Sequence, residues 1–394
     1  MKKKILFMLI NMNVGGTEKA LLNMIAELPD EEIEITILML EEYGEFLDFI
    51  PDRVHIDYVK GYKNIKRLLN DPLHIIALDL LKRFRVIKAL TILGLYFFSK
   101  LMRDGSLFFA YLLNNYPKTE HEYDIAVAYA GPMDFISYFI AKKIKAKKKI
   151  QWIHFDITKV GFNPQFAMKT YTLFDKIFVV SSEARNKLIN KIPKLKDRID
   201  VFNNIVSSKE ILDQTRIGTE FTDKFDGIRI LTVGRLAHEK GQDLAIHVLA
   251  KLIDDGYKVK WYCVGDGKSK ETYKSLVANY NIKDNFIFLG STPNPYRYME
   301  QCDIYVQPSR YEGFCITLIE ARCLKKPIVT TDVNGAKEQI TNGETGLIVN
   351  INEYEIYQAV KKLIDSPDLR KKLSSNLANE NIDNKWELDK LLVM

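Results

Sequence analysis

Short runs rich in valine and isoleucine alternate with helix-length segments along nearly the whole of this sequence. The runs expected to be strands in the first half are residues 4–10, 33–38, 54–58, 124–128, 150–154 and 176–180. Those in the second half are residues 228–233, 259–264, 286–289, 304–307, 328–331 and 347–349. Strands that alternate with helices form βαβ units, and these units build parallel sheets. The pattern therefore predicts an α/β fold.

The length of the chain indicates two domains. Its 394 residues exceed what one ordinary hydrophobic core accommodates, and both halves carry the same alternation. We predict a Rossmann-like N-terminal domain of residues 1–205 and a Rossmann-like C-terminal domain of residues 206–375. A helix over 376–394 is expected to pack back toward the N-terminal domain. Ligands of open parallel sheets bind at the carboxyl ends of the strands, so two lobes whose sheets face a central cleft would form a ligand site.

A long helical insertion at residues 71–114 contains much of the chain's clustered positive charge. Six basic residues bracket its apolar run 89–98, namely Lys82, Arg83, Arg85, Lys88, Lys100 and Arg103, and a second basic cluster spans 142–149. The apolar run is far shorter than the roughly 20 residues needed to span a bilayer. Segment 82–103 would therefore contact an anionic membrane surface or pack as a partly buried helix with a solvated basic edge. Both interpretations stay open, and no nucleic-acid partner is expected.

The N-terminus superficially resembles the start of a signal peptide, because three lysines precede the apolar residues 5–10. That run stops at Asn11 and meets two glycines rather than a cleavage site, which favours a buried first strand. We therefore expect a cytoplasmic chain, peripheral at the inner face of the membrane if segment 82–103 binds lipid.

The four cysteines give no sign of a zinc site. They form no CxxC pair and have no histidine at ligand spacing, so buried free thiols are expected; they are Cys263, Cys302, Cys315 and Cys323. The sequence also lacks an Asp-x-Asp motif. We predict neither a metal nor a cofactor.

The first candidate motif is the glycine pair Gly15 and Gly16, directly after the first strand and directly before an apolar-periodic helix. Paired glycines allow close backbone approach, and a helix N-terminus offers N–H groups to an anion or a sugar hydroxyl. A strand-to-helix turn also needs glycine for purely conformational reasons, so this motif alone leaves both interpretations open.

The second motif follows the first strand of the C-terminal half and contains Arg235 and Lys240 in one loop. The arginine is a planar fork and the lysine a point charge, and both can converge on one anion such as a diphosphate. In isolation, two basic residues in a solvated loop would be unremarkable.

The third motif covers residues 308–321, where another strand end leads into a helix. Glu312 precedes the helix, and Glu320 lies inside it on an apolar segment, where an unpaired carboxylate would be costly. Eight helical residues separate two side chains by about 12 Å, too far for the pair of a retaining glycosidase at about 5 to 5.5 Å. The two glutamates are therefore expected to hold different ends of one extended ligand.

Taken together, the motifs resemble the family 4 glycosyltransferases of the retaining, GT-B type found in bacterial surface-polysaccharide synthesis. The resemblance runs through nearly the whole chain. Its residues are Gly15-Gly16-Thr17-Glu18, Gly234-Arg235-Leu236 with Glu239-Lys240-Gly241, Val264-Gly265-Asp266-Gly267, and Glu312 with Glu320 as an E-x7-E pattern. Each motif is weak alone, but their order at the ends of the expected strands is specific.

The resemblance implies that the C-terminal domain, residues 206–375, binds a nucleotide-sugar donor and that the N-terminal domain, residues 1–205, binds the acceptor. Arg235 and Lys240 would bind the diphosphate, joined by the backbone N–H groups of the helix start. Glu312 would accept hydrogen bonds from sugar hydroxyls, and Glu320 from the ribose. The other positions implied to bind the donor are Gly15 and Gly16 from the N-terminal lobe, Gly265, Gly313, Phe314 and Cys315.

His154 ends the strand at 150–154, in the position where related enzymes place a histidine close to the reacting sugar. A lone histidine is more often structural. The resemblance implies that His154, with Glu312, belongs to the catalytic residues, contacting the donor sugar or the developing charge.

The implied reaction moves a hexose or an N-acetylhexosamine, with UDP favoured as the nucleotide, onto a glycan or a polyprenyl-diphosphate-linked acceptor. Transfer would retain anomeric configuration without a metal. A nucleotide-sugar 2-epimerase of GT-B fold and a non-catalytic GT-B partner subunit are the alternatives. The E-x7-E pattern disfavours the first, and the joint presence of both cations and both glutamates disfavours the second.

The chain departs from the family pattern where the helix of Glu320 ends. Relatives often have glycine before the proline there, whereas this chain has Lys325 and Lys326. We expect a strain of roughly 1 kcal/mol at this cap.

Overall fold

A computed structural model of the chain describes residues 2–114, 116–119 and 121–394, with only the backbone described for Leu73. Within these ranges the strands form two fully parallel sheets. The α/β prediction with two Rossmann-like sheets is confirmed.

The first sheet has seven strands in the order β3-β2-β1-β4-β5-β6-β7. Its strands are β1 (Lys3–Leu9), β2 (Ile33–Met39), β3 (His55–Tyr58), β4 (Glu122–Gly131), β5 (Lys145–Ile153), β6 (Lys176–Val179) and β7 (Ile199–Val201). The central strand β1 is buried continuously from Ile5 to its end, as expected for a parallel strand covered on both faces.

The second sheet has six strands in the order β10-β9-β8-β11-β12-β13. They are β8 (Ile228–Val233), β9 (Val259–Val264), β10 (Phe286–Gly290), β11 (Ile304–Gln307), β12 (Ile328–Thr331) and β13 (Leu347–Val349). The strand order reverses between β8 and β11, as it does between β1 and β4 in the first sheet. Such reversal points are where open α/β sheets bind ligands, beyond the carboxyl ends of the strands.

Helices connect the strands throughout. Up to β8 they are α1 (Gly16–Glu27), α2 (Tyr62–Asn70), α3 (Leu73–Lys82), α4 (Val86–Met102), α5 (Ser106–Leu112), α6 (Asp134–Lys143), α7 (Pro164–Thr170), α8 (Ser182–Lys191) and α9 (Ser208–Thr215). After β8 they are α10 (Gln242–Asp254), α11 (Lys270–Asn279), α12 (Tyr296–Gln301), α13 (Ile316–Cys323), α14 (Ala336–Gln339), α15 (Glu353–Asp365), α16 (Pro367–Ala378) and α17 (Asp389–Leu392). Among the described residues, no helix has the length and apolar character needed to cross a membrane.

Contacts divide the chain into two units. The first comprises Met1–Asn13, Leu28–Phe202 and Lys390–Met394, and the second comprises Val14–Glu27 and Asn203–Asp389. Helix α1 is thus counted with the second unit, although we expected it in a domain of residues 1–205.

The C-terminal segment 376–394 is not the single helix that we expected. After α16 the chain makes a short 3-10 turn at Lys385–Leu388 and then the one-turn helix α17. The ammonium of Lys390 donates to the carbonyl of Val201 at 2.6 Å, and Lys3 donates to the carbonyl of Leu392 at 2.6 Å. These bonds hold the last residues to the first unit.

Candidate active site

Two loops meet beyond the second sheet, one following β8 and the other following β11. Gly241 makes their contact possible. It has a φ of +70°, and a Cβ there would lie 2.0 Å from the carbonyl oxygen of Pro308. Only glycine tolerates both the left-handed backbone and this approach, so the loop of Lys240 packs directly against the loop of Glu312.

The ammonium of Lys240 lies 2.7 Å from each carboxylate oxygen of Glu312. Only 20% of the lysine side chain and 6% of the glutamate side chain are exposed. Burial acts to lower the pKa of Lys240, but the charge of Glu312, the nearby Cys315 and the hydrogen bond to Glu312 together outweigh it and leave the pKa raised. The pair is therefore ionised and desolvated, and it stands where the strand order reverses.

A buried polar network orients the Glu312 carboxylate. The hydroxyl of Ser309 donates to its Oε1 at 2.6 Å, and the amide of Gln307 donates to the same oxygen at 3.3 Å. The hydroxyl of Tyr305 in turn donates to the side-chain oxygen of Gln307, Oε1, at 2.6 Å. Our sequence reasoning missed Gln307 and Ser309. The available signal was a glutamine ending an apolar strand, since a buried amide needs partners.

A bidentate ion pair fixes the same two loops from their outer side. Arg310 donates to both carboxylate oxygens of Asp243, at 2.7 and 2.5 Å, and to the carbonyl of His238 at 2.8 Å. Arg235 differs, because its side chain is 57% exposed and lies 3.5 Å from Glu239. Of the two predicted cations, Arg235 is the one open to solvent.

Glu320 lies on α13, and only 3% of the residue is exposed. The hydroxyl of Tyr296 donates to its Oε1 at 2.8 Å, which supplies the partner that burial demands. Desolvation raises the pKa of Glu320 to about 7, although the charge of Lys19 acts in the opposite direction. The carboxyl therefore exchanges its proton near neutral pH.

The glycine turn before α1 lies beside the start of α13. A Cβ on Gly16 would be 3.6 Å from the side chain of Ile316, and the carbonyl of Gly15 accepts from the N–H of Lys19 at 3.0 Å. Burial raises the pKa of Glu18 to about 7, and the charge of Arg235 partly offsets this. The first and second motifs are thus electrostatically coupled.

The segment before α13 carries Gly313, Phe314 and Cys315. Cys315 adopts a left-handed φ of 57°, which is uncommon for a residue other than glycine. Burial raises the pKa of its thiol to about 12, so the sulfur is neutral. The Gln339 amide donates to the carbonyl of Phe314 and so helps to fix this turn.

Gly265 follows directly after β9, beside the loop that contains Arg235. With a φ of +143°, it would place a Cβ 2.1 Å from the carbonyl oxygen of Gly234. A larger residue would push the two loops apart.

His154 belongs to the first unit and is buried. Its ring lies 4.4 Å from that of Tyr129 and is stacked on Trp152. Burial lowers its pKa to about 3, against a hydrogen bond to the Tyr129 backbone that acts to raise it. Within the described residues, Nε2 has no hydrogen-bond partner. The imidazole is therefore neutral, with Nδ1 donating and Nε2 free to accept.

The structure thus assembles most of the predicted positions in the second unit, and His154 stands in the first. Residues 220–380 match the family model described as glycosyl transferases group 1. This segment of the chain is similar to the glycosyltransferases of that family. Just after the helix that carries Glu320, Lys325 has a left-handed φ of 56°. This is the helix end where we expected backbone strain.

Curated relatives of this chain are named as glycosyltransferases. It is 31% identical over 176 residues to the N-acetylgalactosamine-N,N'-diacetylbacillosaminyl-diphospho-undecaprenol 4-alpha-N-acetylgalactosaminyltransferase of Campylobacter jejuni, covering 44% of this chain and 46% of that protein. It is 28% identical over 277 residues to the capsular polysaccharide biosynthesis glycosyltransferase CapM of Staphylococcus aureus, covering 65% and 70%. The match thus spans about half of the Campylobacter protein.

Solved structures confirm the GT-B fold. Anabaena Alr3699/HepE in complex with UDP has a TM-score of 0.69 at 16% identity, covering all of both chains. A mutant of S. aureus TarM in complex with Fondaparinux, alpha-GlcNAc-glycerol and UDP has a TM-score of 0.70 at 15% identity, covering 100% of this chain and 99% of that one.

Proposed function

We propose that this chain transfers a hexose or an N-acetylhexosamine from a nucleotide-sugar to a glycan or lipid-linked glycan, with retention of configuration. The buried Lys240 and Glu312 pair, 2.7 Å apart where the strand order reverses, is the observation that carries the proposal. A cation for phosphate and an acceptor for sugar hydroxyls stand side by side there. A sugar diphosphate needs both at its anomeric end.

The proposed donor is a UDP-sugar. Two GT-B neighbours, HepE and TarM, were crystallised with UDP. The glutamates fit the two ends of such a molecule, Glu312 for the sugar hydroxyls and Glu320 for the ribose.

Positive charge from the protein would stabilise the leaving diphosphate. Lys240 has three N–H donors, so its ammonium can stay bonded to Glu312 and also contact a phosphate oxygen. Arg235, whose side chain is exposed, would bind the diphosphate from the solvent side. The N–H groups of Gly313, Phe314 and Cys315 add partial positive charge at the start of α13. Fixed donors of this kind stabilise charge as it develops. We propose that they suffice without a metal, which undiminished turnover in EDTA would support.

The proposal also gives roles to three glycines of the second unit and to His154 of the first unit. The small residues Gly15, Gly16 and Gly265 would leave room for the donor beside the phosphate-binding groups. His154, neutral and with Nε2 unpaired among the described residues, would accept a hydrogen bond from a sugar hydroxyl. We assign it no proton transfer, because its pKa of about 3 makes it a weak base.

The proposed acceptor is a growing surface glycan on a polyprenyl diphosphate. The Campylobacter relative is named for a diphospho-undecaprenol acceptor, and the S. aureus relative for capsular polysaccharide. A chain acting on such an acceptor would work at the cytoplasmic face of the membrane.

Release of nucleotide diphosphate tests the proposal against its alternatives. The purified chain is incubated separately with UDP-, GDP- and dTDP-sugars, and free nucleotide is measured over time. A transferase would release nucleotide diphosphate slowly when water takes the sugar, and faster when an acceptor hydroxyl takes it. An epimerase would instead convert the sugar at C2, and a non-catalytic subunit would leave every donor intact. Thermal stabilisation by each nucleotide identifies the base, because a ligand of the folded state raises the melting temperature.

A further inference from the structure

Helices α3 and α4 pack against each other and project apolar side chains into solvent. Their mutual packing buries few residues, among them Ile76, Ala77, Ala89 and Ile92. Of the exposed large apolar side chains in the described ranges, more than half lie between Ile75 and Leu107. So dense a cluster marks an interaction surface.

The exposed apolar residues of α4 fall on one helical face. Ile87, Leu90, Phe97 and Leu101 follow one another at spacings of three, seven and four residues, which places them on a single stripe. All four are exposed, Ile87 by 84%. A helix that belonged only to the core would bury this stripe.

The turn between α3 and α4 presents an aromatic ring at its tip. Phe84 is 93% exposed and has a left-handed φ of 56°, at a helix end where glycine is usual. The N–H of Arg85 closes the end of α3 on the carbonyl of Leu80 at 2.9 Å. The tip therefore holds a phenylalanine between two arginines.

Positive charge surrounds this apolar surface. Asp79, the lone acidic residue of segment 73–103, binds Arg67 at 3.0 Å and Arg83 at 3.2 Å. The other basic side chains of the segment make no ion pair within the described ranges; they are Lys82, Arg85, Lys88, Lys100 and Arg103. These cations remain available to an external anion.

We propose that α3 and α4 dock on an anionic lipid surface. The stripe of α4 and the ring of Phe84 enter the boundary between headgroups and acyl chains, and the flanking cations contact lipid phosphates. Charge complementarity selects lipid over a second copy of this chain, since two copies would bring like charges together. The surface lies in the first unit and shares no residue with the proposed donor site, so the docking does not depend on that site.

Flotation with vesicles tests this docking. Wild type is mixed with vesicles of phosphatidylcholine alone or with 40% phosphatidylglycerol, and we expect flotation with the anionic vesicles only. Reversing three cations, in the variant K82E/R85E/K88E, should weaken association at least about a hundred-fold. The apolar variant I87S/L90S/F97S should abolish it. The matched control, K362E/K371E/K372E, changes three exposed lysines of α15 and α16 and should float like wild type.

Melting temperatures within a few degrees of wild type, with unchanged nucleotide release in the absence of vesicles, show that the variants are folded. Equal flotation with neutral vesicles, or equal losses in the control, would overturn the docking. So would wild type that fails to float, or that self-associates through this surface instead. Flotation without nucleotide release would sink the proposed transfer reaction and leave the docking intact.

Discussion

Lys240 and Glu312 are 72 residues apart in the chain, yet the ammonium of one touches both carboxylate oxygens of the other at 2.7 Å. Removing one partner of a buried ion pair leaves the other uncompensated, at a cost of about 3 to 5 kcal/mol. Each of Lys240→Met and Glu312→Gln should lower the free energy of unfolding by about that amount.

The double variant K240M/E312Q should cost at least about 1 kcal/mol less than the sum of the singles, because neither charge is then left alone. Urea denaturation measures the free energy of unfolding of the two single variants and of the double variant. The exposed pair Lys251 and Asp255 is the control, where K251M/D255N should cost under about 1 kcal/mol. Additive losses at Lys240 and Glu312 would mean that the two side chains are not coupled.

Gly241→Ala should displace the Lys240 loop, because its Cβ would lie 2.0 Å from the Pro308 carbonyl oxygen. We expect a loss of several kcal/mol in unfolding free energy and a fall in nucleotide release. Gly256→Ala is the matched control. Its φ is +84° with nothing within 4 Å, so it should cost only the left-handed strain of about 1 to 2 kcal/mol. Equal losses in both variants would show that the close approach is unimportant.

Stability should depend on pH through Glu320. Its pKa is about 7 in the folded chain against an ordinary 4.5, so between these values the folded state holds a proton that the unfolded state has lost. The free energy of unfolding therefore falls as pH rises through that window, by about 3 kcal/mol from this group.

Glu320→Gln should make that decline less steep, leaving the shares of Glu18 and Asp134, whose pKa values are raised in the same direction. Urea denaturation at several pH values measures the slope, and exposed Glu31→Gln should leave it unchanged. If Glu320→Gln kept the wild-type slope of unfolding free energy against pH, the titrating group would not be Glu320.

The imidazole of His154 should stay neutral between pH 5 and 8, because burial lowers its pKa to about 3. Its ring resonances, assigned by their loss in His154→Asn, should not shift over this range in an NMR titration. The same titration of the urea-unfolded chain, in which an imidazole has its ordinary pKa of about 6.5, provides the comparison. A midpoint above pH 5 for His154 would contradict its burial.

The fold was largely predictable because buried parallel strands leave continuous apolar runs. Five strands of the second sheet, such as β8 and β11, have the predicted bounds. The prediction was wrong about where β5 begins. It starts at Lys145, inside a lysine run without apolar pattern, where pairing with β4 and an ion pair from Lys147 to Asp124 at 2.7 Å support the strand. Tertiary pairing overrides local propensity there.

The candidate site was predictable as a set of residues but not as an arrangement. The sequence assigned Lys240 and Glu312 to different parts of a ligand, and their direct contact depends on β8 lying beside β11. Strand order is not visible in one sequence. Gln307 and Ser309 were missed for another reason: a glutamine at the end of an apolar strand indicates a buried polar contact, but only packing shows that the contact is with Glu312.

Nucleotide diphosphate release by wild type, Arg235→Ala and Lys240→Ala tests the proposed donor site most directly. Each removed cation should lower the rate at least about a hundred-fold, as loss of one transition-state donor does. Lys362→Ala, a change at an exposed lysine of α15, serves as control, and melting temperatures show that each variant is folded. We predict that wild type releases nucleotide diphosphate from a preferred nucleotide-sugar and that both cation variants lose this release. Near-normal rates in both variants would contradict the account.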